Sequence, residues 1–187
     1  MKLHNTTLPG VLLLQPKVFH DPRGFFLETF HEHRFQEMGI DFTPVQSNHS
    51  RSEKGILRGL HFQLEHTQAK VAYVTSGRVF DVAVDVRHGS PNFGQWFGAV
   101  LDDENHHQIY VPAGFAHGYC VLSERADFTY QCSDFYHPQS EGGVAWNDPN
   151  IGIDWPLDSP VLSGKDEKWL NLDKIPADLL PSYNNLK

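Results

Sequence analysis

Cysteine and long hydrophobic runs are both scarce in this 187-residue sequence. Its only two cysteines, Cys120 and Cys132, form neither a disulfide framework nor a Cys-x-x-Cys metal pair, so we expect reduced thiols. No apolar run approaches the roughly 18 residues that a membrane-spanning helix requires. The first seven residues also lack the apolar core of a signal peptide. We therefore expect a cytoplasmic protein without membrane segments.

Basic residues are also in short supply. Lys and Arg together number 15 against 23 Asp and Glu, which gives a formal charge of -8. A protein that binds nucleic acid non-specifically needs positive surface charge to release counterions from the phosphate backbone. The excess of acidic residues therefore excludes general nucleic-acid binding. Histidine, in contrast, occurs 12 times, which raises the question of metal binding or acid–base chemistry.

Helical periodicity is rare, and short apolar segments separated by turn signals run through the chain. The turn signals include Asp-Pro-Arg-Gly at 21–24 and Pro-Ala-Gly at 112–114. Recurring short strands with such turns are typical of an antiparallel sandwich or barrel, so we predict an all-β fold. The segments are 11–14, 25–30, 71–75, 79–86, 96–101, 108–111, 119–122 and 128–132.

Alternation is clearest at 78–86, where apolar and acidic side chains point to opposite faces of the predicted strand. One face carries Phe80, Val82, Val84 and Val86, and the other carries Asp81 and Asp85.

Helices are predicted in two peripheral places. One runs from about Phe30 to Met38 and stops at Gly39, and the other starts at Ser163, whose hydroxyl suits a helix N-cap. No repeat, low-complexity tract or linker divides the chain. We expect one domain over 1–187, with a core at about 9–160 and a C-terminal helix and tail at about 161–187.

Two predicted strands each deliver a histidine after a glycine. Gly-Leu-His-Phe-Gln at 59–63 supplies His61, and Gly-Phe-Ala-His-Gly at 114–118 supplies His117. Double-stranded barrels of the cupin type place side chains into their mouths in this way. Metal-binding cupins have two histidines and a carboxylate in the first motif, whereas this one reads His61-Phe62-Gln63. We therefore expect no metal, because two isolated imidazoles would hold one weakly.

The other histidines are interpreted as ordinary surface residues. His106 and His107 lie beside three acidic residues at an apparent hairpin tip, which favours a solvated loop over a ligand set. The same interpretation covers His20, His31, His33 and His137.

His61 is a candidate general base, since a neutral imidazole accepts a proton near neutral pH when a carboxylate holds its tautomer. Strict alternation would put Arg58 and His61 on opposite faces, so a shared pocket requires a break in phase. Gly59 lies between them and predicts a bulge or sharp twist. Tyr130 shares a face with Phe128 and Cys132, and periodicity alone favours a core tyrosine bonded to a backbone carbonyl.

Six motifs in order closely resemble the dTDP-4-dehydrorhamnose 3,5-epimerase family. They are Phe-His-Asp-Pro-Arg-Gly-Phe-Phe-Leu-Glu at 19–28, Gln-Ser-Asn-His-Ser at 46–50, Leu-Arg-Gly-Leu-His-Phe-Gln at 57–63, Val-Phe-Asp-Val-Ala-Val-Asp at 79–85, Pro-Ala-Gly-Phe-Ala-His-Gly at 112–118 and Trp-Asn-Asp at 146–148. The match spans about residues 9 to 170. It implies a metal-free and cofactor-free jelly roll, that is, a double-stranded β-helix or cupin-like barrel, that forms a homodimer.

The resemblance also implies a reaction. Family members act in dTDP-L-rhamnose synthesis and invert both carbons beside the ketone of dTDP-4-dehydro-6-deoxy-D-glucose. By resemblance, His61 is the base, oriented by Asp166, and Tyr130 returns a proton to the opposite face of the sugar. Lys70 would stabilise the enolate, with His117 as a further donor.

The family's substrate-binding positions are matched by a second set of residues. By resemblance, Tyr136 stacks on the thymine, and Arg23 would enter the partner subunit's pocket if the dimer exchanges its N-terminal segment. The remaining matches are Arg58 and Lys165 for the nucleotide sugar, with polar contacts from Glu28, Gln46, Ser47, Asn48 and Glu141.

Two places depart from the family pattern. Ser47 stands where many members have Asp, and Leu-Glu-His-Thr-Gln-Ala at 64–69 differs from the family's common approach to the lysine. Both adjoin the expected substrate sites, so they bear on substrate detail more than on reaction class. Two alternatives stay open: an epimerase that inverts only one carbon of a related nucleotide-linked 4-keto sugar, and a non-catalytic sugar-binding cupin.

Overall fold

The computed structural model describes residues 1–186 and contains two antiparallel sheets. The first has six strands in the order Lys2–Asn5 (β1), Leu12–Gln15 (β2), Gln108–Val111 (β10), Lys70–Ser76 (β7), Arg125–Cys132 (β12) and Gln46–Glu53 (β5). The second has five, in the order Glu141–Gly143 (β13), Leu57–Gln63 (β6), Phe115–Val121 (β11), Arg78–Asp85 (β8) and Trp96–Asp102 (β9). A separate hairpin pairs Val18–Asp21 (β3) with Gly24–Leu27 (β4).

The inner faces of the two sheets share one hydrophobic core. Ala72 and Phe128 of the first sheet pack there with Ala83, Leu101 and Val121 of the second. Facing sheets with a common core form a sandwich, and the all-β, cupin-like fold predicted from the sequence is confirmed.

The outer faces of both sheets are covered as well. Val82 and Val84 pack outside the second sheet against Leu172 and Leu180 of the C-terminal segment. On the outside of the first sheet, a short helix, Glu32–Glu37 (α1), contributes the buried Phe35. Because both faces are covered, central strands such as β8 have buried residues on both sides, and these include the inner Asp81.

The eight segments read from the sequence all form strands, but β1, β3 and β13 have no counterpart among the predicted strands, and neither does β5. Its residues, Gln-Ser-Asn-His-Ser-Arg-Ser-Glu, carry no apolar side chain that would reveal a strand. As an edge strand, β5 lies beside β12 alone, with residues 46–53 pairing against 125–132.

The first predicted helix is confirmed by α1, but the predicted C-terminal helix is wrong. The segment forms 3-10 turns at Asp166–Lys168, Leu172–Lys174, Ala177–Leu179 and Tyr183–Leu186. The first turn ends because Trp169 becomes extended and packs over Gly143, while the carbonyl of Leu170 accepts the N–H of Ala145. No helix among residues 1–186 is long and apolar enough to cross a membrane.

The turn that carries His106 and His107 is not a hairpin tip, as the sequence suggested. It connects β9 of the second sheet to β10 of the first, so the chain changes sheets there. The Asp102 carboxylate holds this turn by accepting the N–H groups of Glu104 and Asn105 at 3.1 and 2.7 Å.

The predicted irregularity at Gly59 is confirmed. Pairing between β6 and β11 shifts register between His117 and Tyr119, opposite the segment from Arg58 to His61. Gly59 has a φ of +126° and is followed by a cis peptide bond. A Cβ at Gly59 would lie 2.6 Å from the Cα of Gly118, so the strands approach here only because both residues are glycine.

We predict that Gly59→Ala destabilises the protein more than Gly24→Ala does. Gly24 has almost the same φ, +128°, but open space around its absent Cβ. Gly24→Ala should lower the free energy of unfolding by about 1 kcal/mol through backbone strain alone. Gly59→Ala should cost a further 1–3 kcal/mol or so, because the two strands must separate. Urea unfolding measures both, and equal losses would show that the strand contact is not constrained.

Candidate active site

A cavity of about 900 Å³ opens between the two sheets. The first sheet contributes Lys70 from β7 and Tyr130 from β12, and the second contributes His61 from β6 and His117 from β11. Asp166 reaches the cavity from the first C-terminal 3-10 turn. The five groups named from the sequence for chemistry therefore meet in one space.

His61 and Asp166 form a close pair. The imidazole Nε2 lies 2.6 Å from Oδ1 of Asp166, which is 3% exposed. Asp166 is held by Trp169, whose indole Nε1 donates to Oδ1 at 3.3 Å, and its own N–H donates to the Ser163 hydroxyl at 3.1 Å. Ser163 thus takes part in positioning a carboxylate.

The charge state of this pair follows from its surroundings. Burial acts to raise the pKa of Asp166, but hydrogen bonding and the charge of His61 outweigh it, and the pKa lies below its ordinary value. An ionised carboxylate only accepts hydrogen bonds, so Nε2 of His61 carries a proton toward Asp166, and in the neutral imidazole the free lone pair lies on Nδ1. The imidazole, partly exposed in the cavity, is thereby equipped to accept a proton.

Tyr130 enters from the opposite sheet. Burial, with smaller effects from nearby Cys132 and Tyr119, raises the pKa of Tyr130 to about 12, so the phenol stays protonated at neutral pH. Within residues 1–186 the Tyr130 hydroxyl has no hydrogen-bond partner. The interpretation favoured by periodicity, a core tyrosine bonded to a backbone carbonyl, is therefore wrong. The result is a proton donor that faces the wall carrying His61.

Lys70 is an uncompensated cation in the same cavity. Desolvation lowers the pKa of Lys70 below its ordinary value, although Cys132 and Asp81 act in the opposite direction. Its ammonium has neither a hydrogen bond nor an ion pair among residues 1–186. A partly buried positive charge without a partner favours an anion or a developing oxyanion in the cavity.

His117 is fixed by the adjacent strand β8, and Arg58 is fixed by β5 of the opposite sheet. Nε2 of His117 lies 2.9 and 3.0 Å from the two carboxylate oxygens of Asp81, a residue with no solvent exposure. The Arg58 Nε donates to the Ser52 hydroxyl at 3.0 Å. Because of the irregularity at Gly59, Arg58 and His61 both line the cavity.

A chain of hydrogen bonds runs along the mouth of the cavity. Glu141 accepts from the Lys165 ammonium at 2.6 Å and from the Tyr136 hydroxyl at 3.0 Å. The Tyr136 N–H donates to the side-chain Oε1 of Gln46 at 2.9 Å, and the Gln46 Nε2 donates to Oδ1 of Asn48 at 3.0 Å. All five line the cavity, and the Tyr136 ring is left exposed beside it.

Three residues named from the sequence lie outside the cavity of their own chain. Arg23 sits in the turn of the β3–β4 hairpin, 90% exposed, and pairs with Asp21. Glu28 follows the hairpin and accepts a hydrogen bond from Arg34 at 2.5 Å. Ser47 lies on β5 between two residues that face the cavity, so alternation turns it outward.

Two contributors to the site were missed in the sequence. Trp169 donates a hydrogen bond to Asp166 and so holds its carboxylate. The sequence signal for this role is an aromatic residue with an N–H donor, three positions after the candidate carboxylate. Tyr119, stacked on Phe128 at 4.0 Å and bonded to the Ser50 hydroxyl at 2.8 Å, also lines the cavity. Tyr119 lies two residues after His117 on β11, so strand alternation predicts that both side chains point to the same face of the sheet.

The arrangement suits a particular chemistry. An imidazole base on one wall and a protonated phenol on the other can remove a proton from one face of a bound carbon and return one to the opposite face. A cation in the same cavity can stabilise the enolate formed when that carbon adjoins a carbonyl. The geometry thus favours inversion at a carbon next to a carbonyl.

Comparison with known proteins gives a consistent pattern. A family model described as dTDP-4-dehydrorhamnose 3,5-epimerase matches residues 5–174. Curated proteins of that description from Neisseria gonorrhoeae and Pseudomonas aeruginosa are 53% and 52% identical over 178 and 170 residues. These matches cover 93% and 90% of this chain; the chain spans 54% of the longer Neisseria protein and 94% of the Pseudomonas protein.

A solved structure is similar over nearly its whole length. It is a dTDP-6-deoxy-D-glucose-3,5-epimerase from Legionella pneumophila in complex with dTDP-4-keto-L-rhamnose. The match has a TM-score of 0.95 and 50% identity, and covers 97% of this chain and 98% of that one.

We predict that one lysine titrates below the others. After reductive methylation with ¹³C-formaldehyde, NMR should show one dimethyl-lysine signal that loses its proton before the rest, because desolvation disfavours the charge on Lys70. Lys70→Arg should remove that signal, whereas Lys54→Arg, which changes an exposed lysine paired with Glu124, should leave it. A uniform titration of all lysines would contradict the prediction.

Proposed function

The chain belongs to the dTDP-4-dehydrorhamnose 3,5-epimerase family, and on this premise we propose that it converts dTDP-4-dehydro-6-deoxy-D-glucose to dTDP-4-dehydro-L-rhamnose. It is an isomerase that inverts carbons 3 and 5, which flank the ketone. The observation that carries the proposal is the placement of His61 and Tyr130 on opposite sheets across one cavity.

Inversion by proton transfer requires two groups on opposite sides of the sugar. His61 removes the proton from the carbon beside the ketone through Nδ1, while Asp166 stabilises the imidazolium that forms. The electron pair moves into the carbonyl, and the enolate oxygen is stabilised by the Lys70 ammonium. Tyr130 then donates a proton to the other face of the carbon, and solvent restores both groups before the second carbon reacts.

Atom balance makes this a redox-neutral reaction. One proton leaves and one arrives at each carbon, and no electron leaves the sugar. The proposed steps therefore need only side chains and water, and we assign no cofactor to them.

The remaining cavity groups fit the nucleotide end of the substrate. Arg58 and Lys165 supply positive charge for the pyrophosphate, because guanidinium and ammonium groups form strong charge-assisted bonds with phosphate oxygens. The exposed Tyr136 ring offers a stacking surface for the thymine. Gln46 and Asn48 provide neutral hydrogen-bonding groups beside it.

The β3–β4 hairpin supports a homodimer that completes the site. Its aromatic residues Phe19, Phe25 and Phe26 are exposed although the hairpin also carries the charged Arg23. Exposed aromatic clusters of this kind mark protein interfaces. We propose that the hairpin inserts against a second copy and brings Arg23 and Glu28 to that copy's cavity.

The proposed location is the cytoplasm. Cys120 and Cys132 are both buried and unpaired, which fits a reducing compartment.

Deuterium incorporation tests the reaction. In heavy water the wild-type protein should place one deuteron at each of carbons 3 and 5 of dTDP-4-dehydro-6-deoxyglucose. His61→Ala should lower incorporation at both carbons by about 10²–10⁴-fold, because the base is lost. Tyr130→Phe should retain part of the exchange but block completed inversion.

Matched variants sharpen this test. Tyr110→Phe changes a partly buried tyrosine packed outside the cavity, and His33→Ala changes an exposed histidine, so both should behave as wild type. Label at one carbon alone would indicate a single-centre epimerase, and no label would indicate a sugar-binding protein. Inversion at carbon 5 at the normal rate by Tyr130→Phe would overturn the assignment of the acid.

Mixed dimers test whether Arg23 acts across subunits. Arg23→Ala should weaken substrate binding by about 10–100-fold through the loss of a charge-assisted bond. A heterodimer of Arg23→Ala with His61→Ala should regain about half of wild-type activity, since one site then combines His61 of one chain with Arg23 of the other. If Arg23 acts within its own chain, the heterodimer will be no more active than the Arg23→Ala homodimer.

A further inference from the structure

Two loops at the cavity mouth bring together two histidines and an aspartate. His66 lies between β6 and β7, while Asp134 and His137 follow β12, and their ligand atoms all lie within 4.8 Å of one another. The closest pair is Nδ1 of His66 and Oδ2 of Asp134 at 3.4 Å. We propose that these three residues form a binding site for a divalent transition-metal ion of the zinc type.

The donor set matches that class of ion. Two imidazole nitrogens and one carboxylate oxygen suit zinc, copper, nickel or ferrous iron, whereas magnesium and calcium prefer oxygen ligands alone. Three protein ligands with one position left for water are typical of an accessible zinc site. In a tetrahedral zinc site neighbouring ligand atoms lie about 3.3 Å apart, as follows from Zn–N and Zn–O lengths near 2 Å. The 3.4 Å pair is already close to this spacing.

The backbone around the ligands is held by two glutamine side chains outside the cluster. Gln63, which is 6% exposed, donates through Nε2 to the His66 carbonyl at 2.6 Å, and its Oε1 accepts the His137 N–H at 2.7 Å. Gln68 donates to the Asp134 carbonyl at 2.8 Å. One side chain thus ties together the two loops that carry the histidines, and a second fixes the aspartate. This anchoring lowers the entropy cost of bringing the ligands together.

Metal binding requires a defined local change. The rings of His66 and His137 are stacked, with centroids 3.9 Å apart and an interplanar angle of 15°. Imidazole lone pairs lie in the ring planes, so two parallel rings cannot both point at one ion. The rings must open by side-chain rotation, which the exposed position of His66 permits.

The site is separate from the proposed catalytic groups. None of the three ligands lines the cavity, but Gln68 and Tyr136 in the same two loops do. A bound ion would therefore connect the loops that border the nucleotide end of the cavity. Binding of the ion does not depend on the proposed epimerase activity.

This inference revises the interpretation of His66 and His137 as ordinary surface residues. His66 and Asp134 are 68 positions apart, and no sequence spacing signals the site. The two loops meet because β7, which follows His66, pairs with β12, which precedes Asp134.

Cobalt titration tests the proposal directly. Chelator-treated, full-length protein should bind one equivalent of Co²⁺ per chain with a visible ligand-field spectrum, and Zn²⁺ should displace it. His66→Ala, Asp134→Asn and His137→Ala should each weaken binding by about tenfold or more. His33→Ala is the matched control, because His31 and His33 are also neighbouring histidines, with ring centroids 6.0 Å apart, but lie outside the cluster.

The outcomes separate the metal site from the proposed function. Equal Co²⁺ binding by wild type and the His66→Ala/His137→Ala double variant would overturn the proposal, as would loss of binding in His33→Ala alone. Circular dichroism of each variant should match wild type, since the altered side chains are not buried. The deuterium assay on the double variant reports independently on epimerisation, which should continue with and without chelator.

Discussion

The contact between Gly59 and Gly118 sets the geometry on which the cavity depends. With no Cβ on either residue, β6 and β11 approach closely enough for β6 to change phase within two residues. A regular strand would direct Arg58 away from the cavity that His61 enters. The irregularity places a guanidinium and an imidazole on the same wall, and the substrate proposal relies on both. A local backbone feature thus decides which chemistry the second sheet presents.

The sandwich then separates the proposed base from the proposed acid. His61 projects from one sheet and Tyr130 from the other, so the width of the core determines the space between them. Burial acts differently on the two groups. It keeps Tyr130 protonated, while at Asp166 the interaction with His61 outweighs burial and keeps the carboxylate ionised. One apolar interior therefore provides a proton donor and an ionised carboxylate that orients a base.

The carboxylates in the cavity are paired, whereas two cations that line it, Lys70 and Arg58, have no ion-pair partner among the described residues. Asp81 pairs with His117, Asp166 with His61 and Glu141 with Lys165, so each of these carboxylates has a fixed partner. Lys70 has none, and burying a cation without a partner is costly unless a ligand supplies the negative charge. Beside the cavity, β7 and β12 bring together the loops of the proposed metal site. The proposed ligand and ion would both approach the fold from this side, whereas the β3–β4 hairpin lies outside the cavity of its own chain.

Local sequence patterns determined much of the fold. Period-two alternation and turn residues identify eight strands and the all-β class, because a strand with a buried face must alternate. The same patterns could not identify β5, whose polar residues give no apolar signal, or the 3-10 turns, which depend on Trp169 packing over Gly143. The motifs that resemble the epimerase family brought His61, Tyr130, Lys70 and Asp166 into consideration. Periodicity alone would have left Tyr130 in the core.

Only the tertiary structure decided how distant residues meet. The hydrogen bond between His61 and Asp166 joins positions 105 residues apart, and the cluster of His66, Asp134 and His137 depends on the pairing of β7 with β12. Protonation states also followed from the fold, because burial and partners shift a pKa and neither is visible in sequence. The sequence by itself determined strand periodicity, the break at Gly59 and the types of functional group. Long-range strand pairing determined the distances between these functional groups, the directions in which they point and their charge states. These properties depend on contacts that no local pattern encodes.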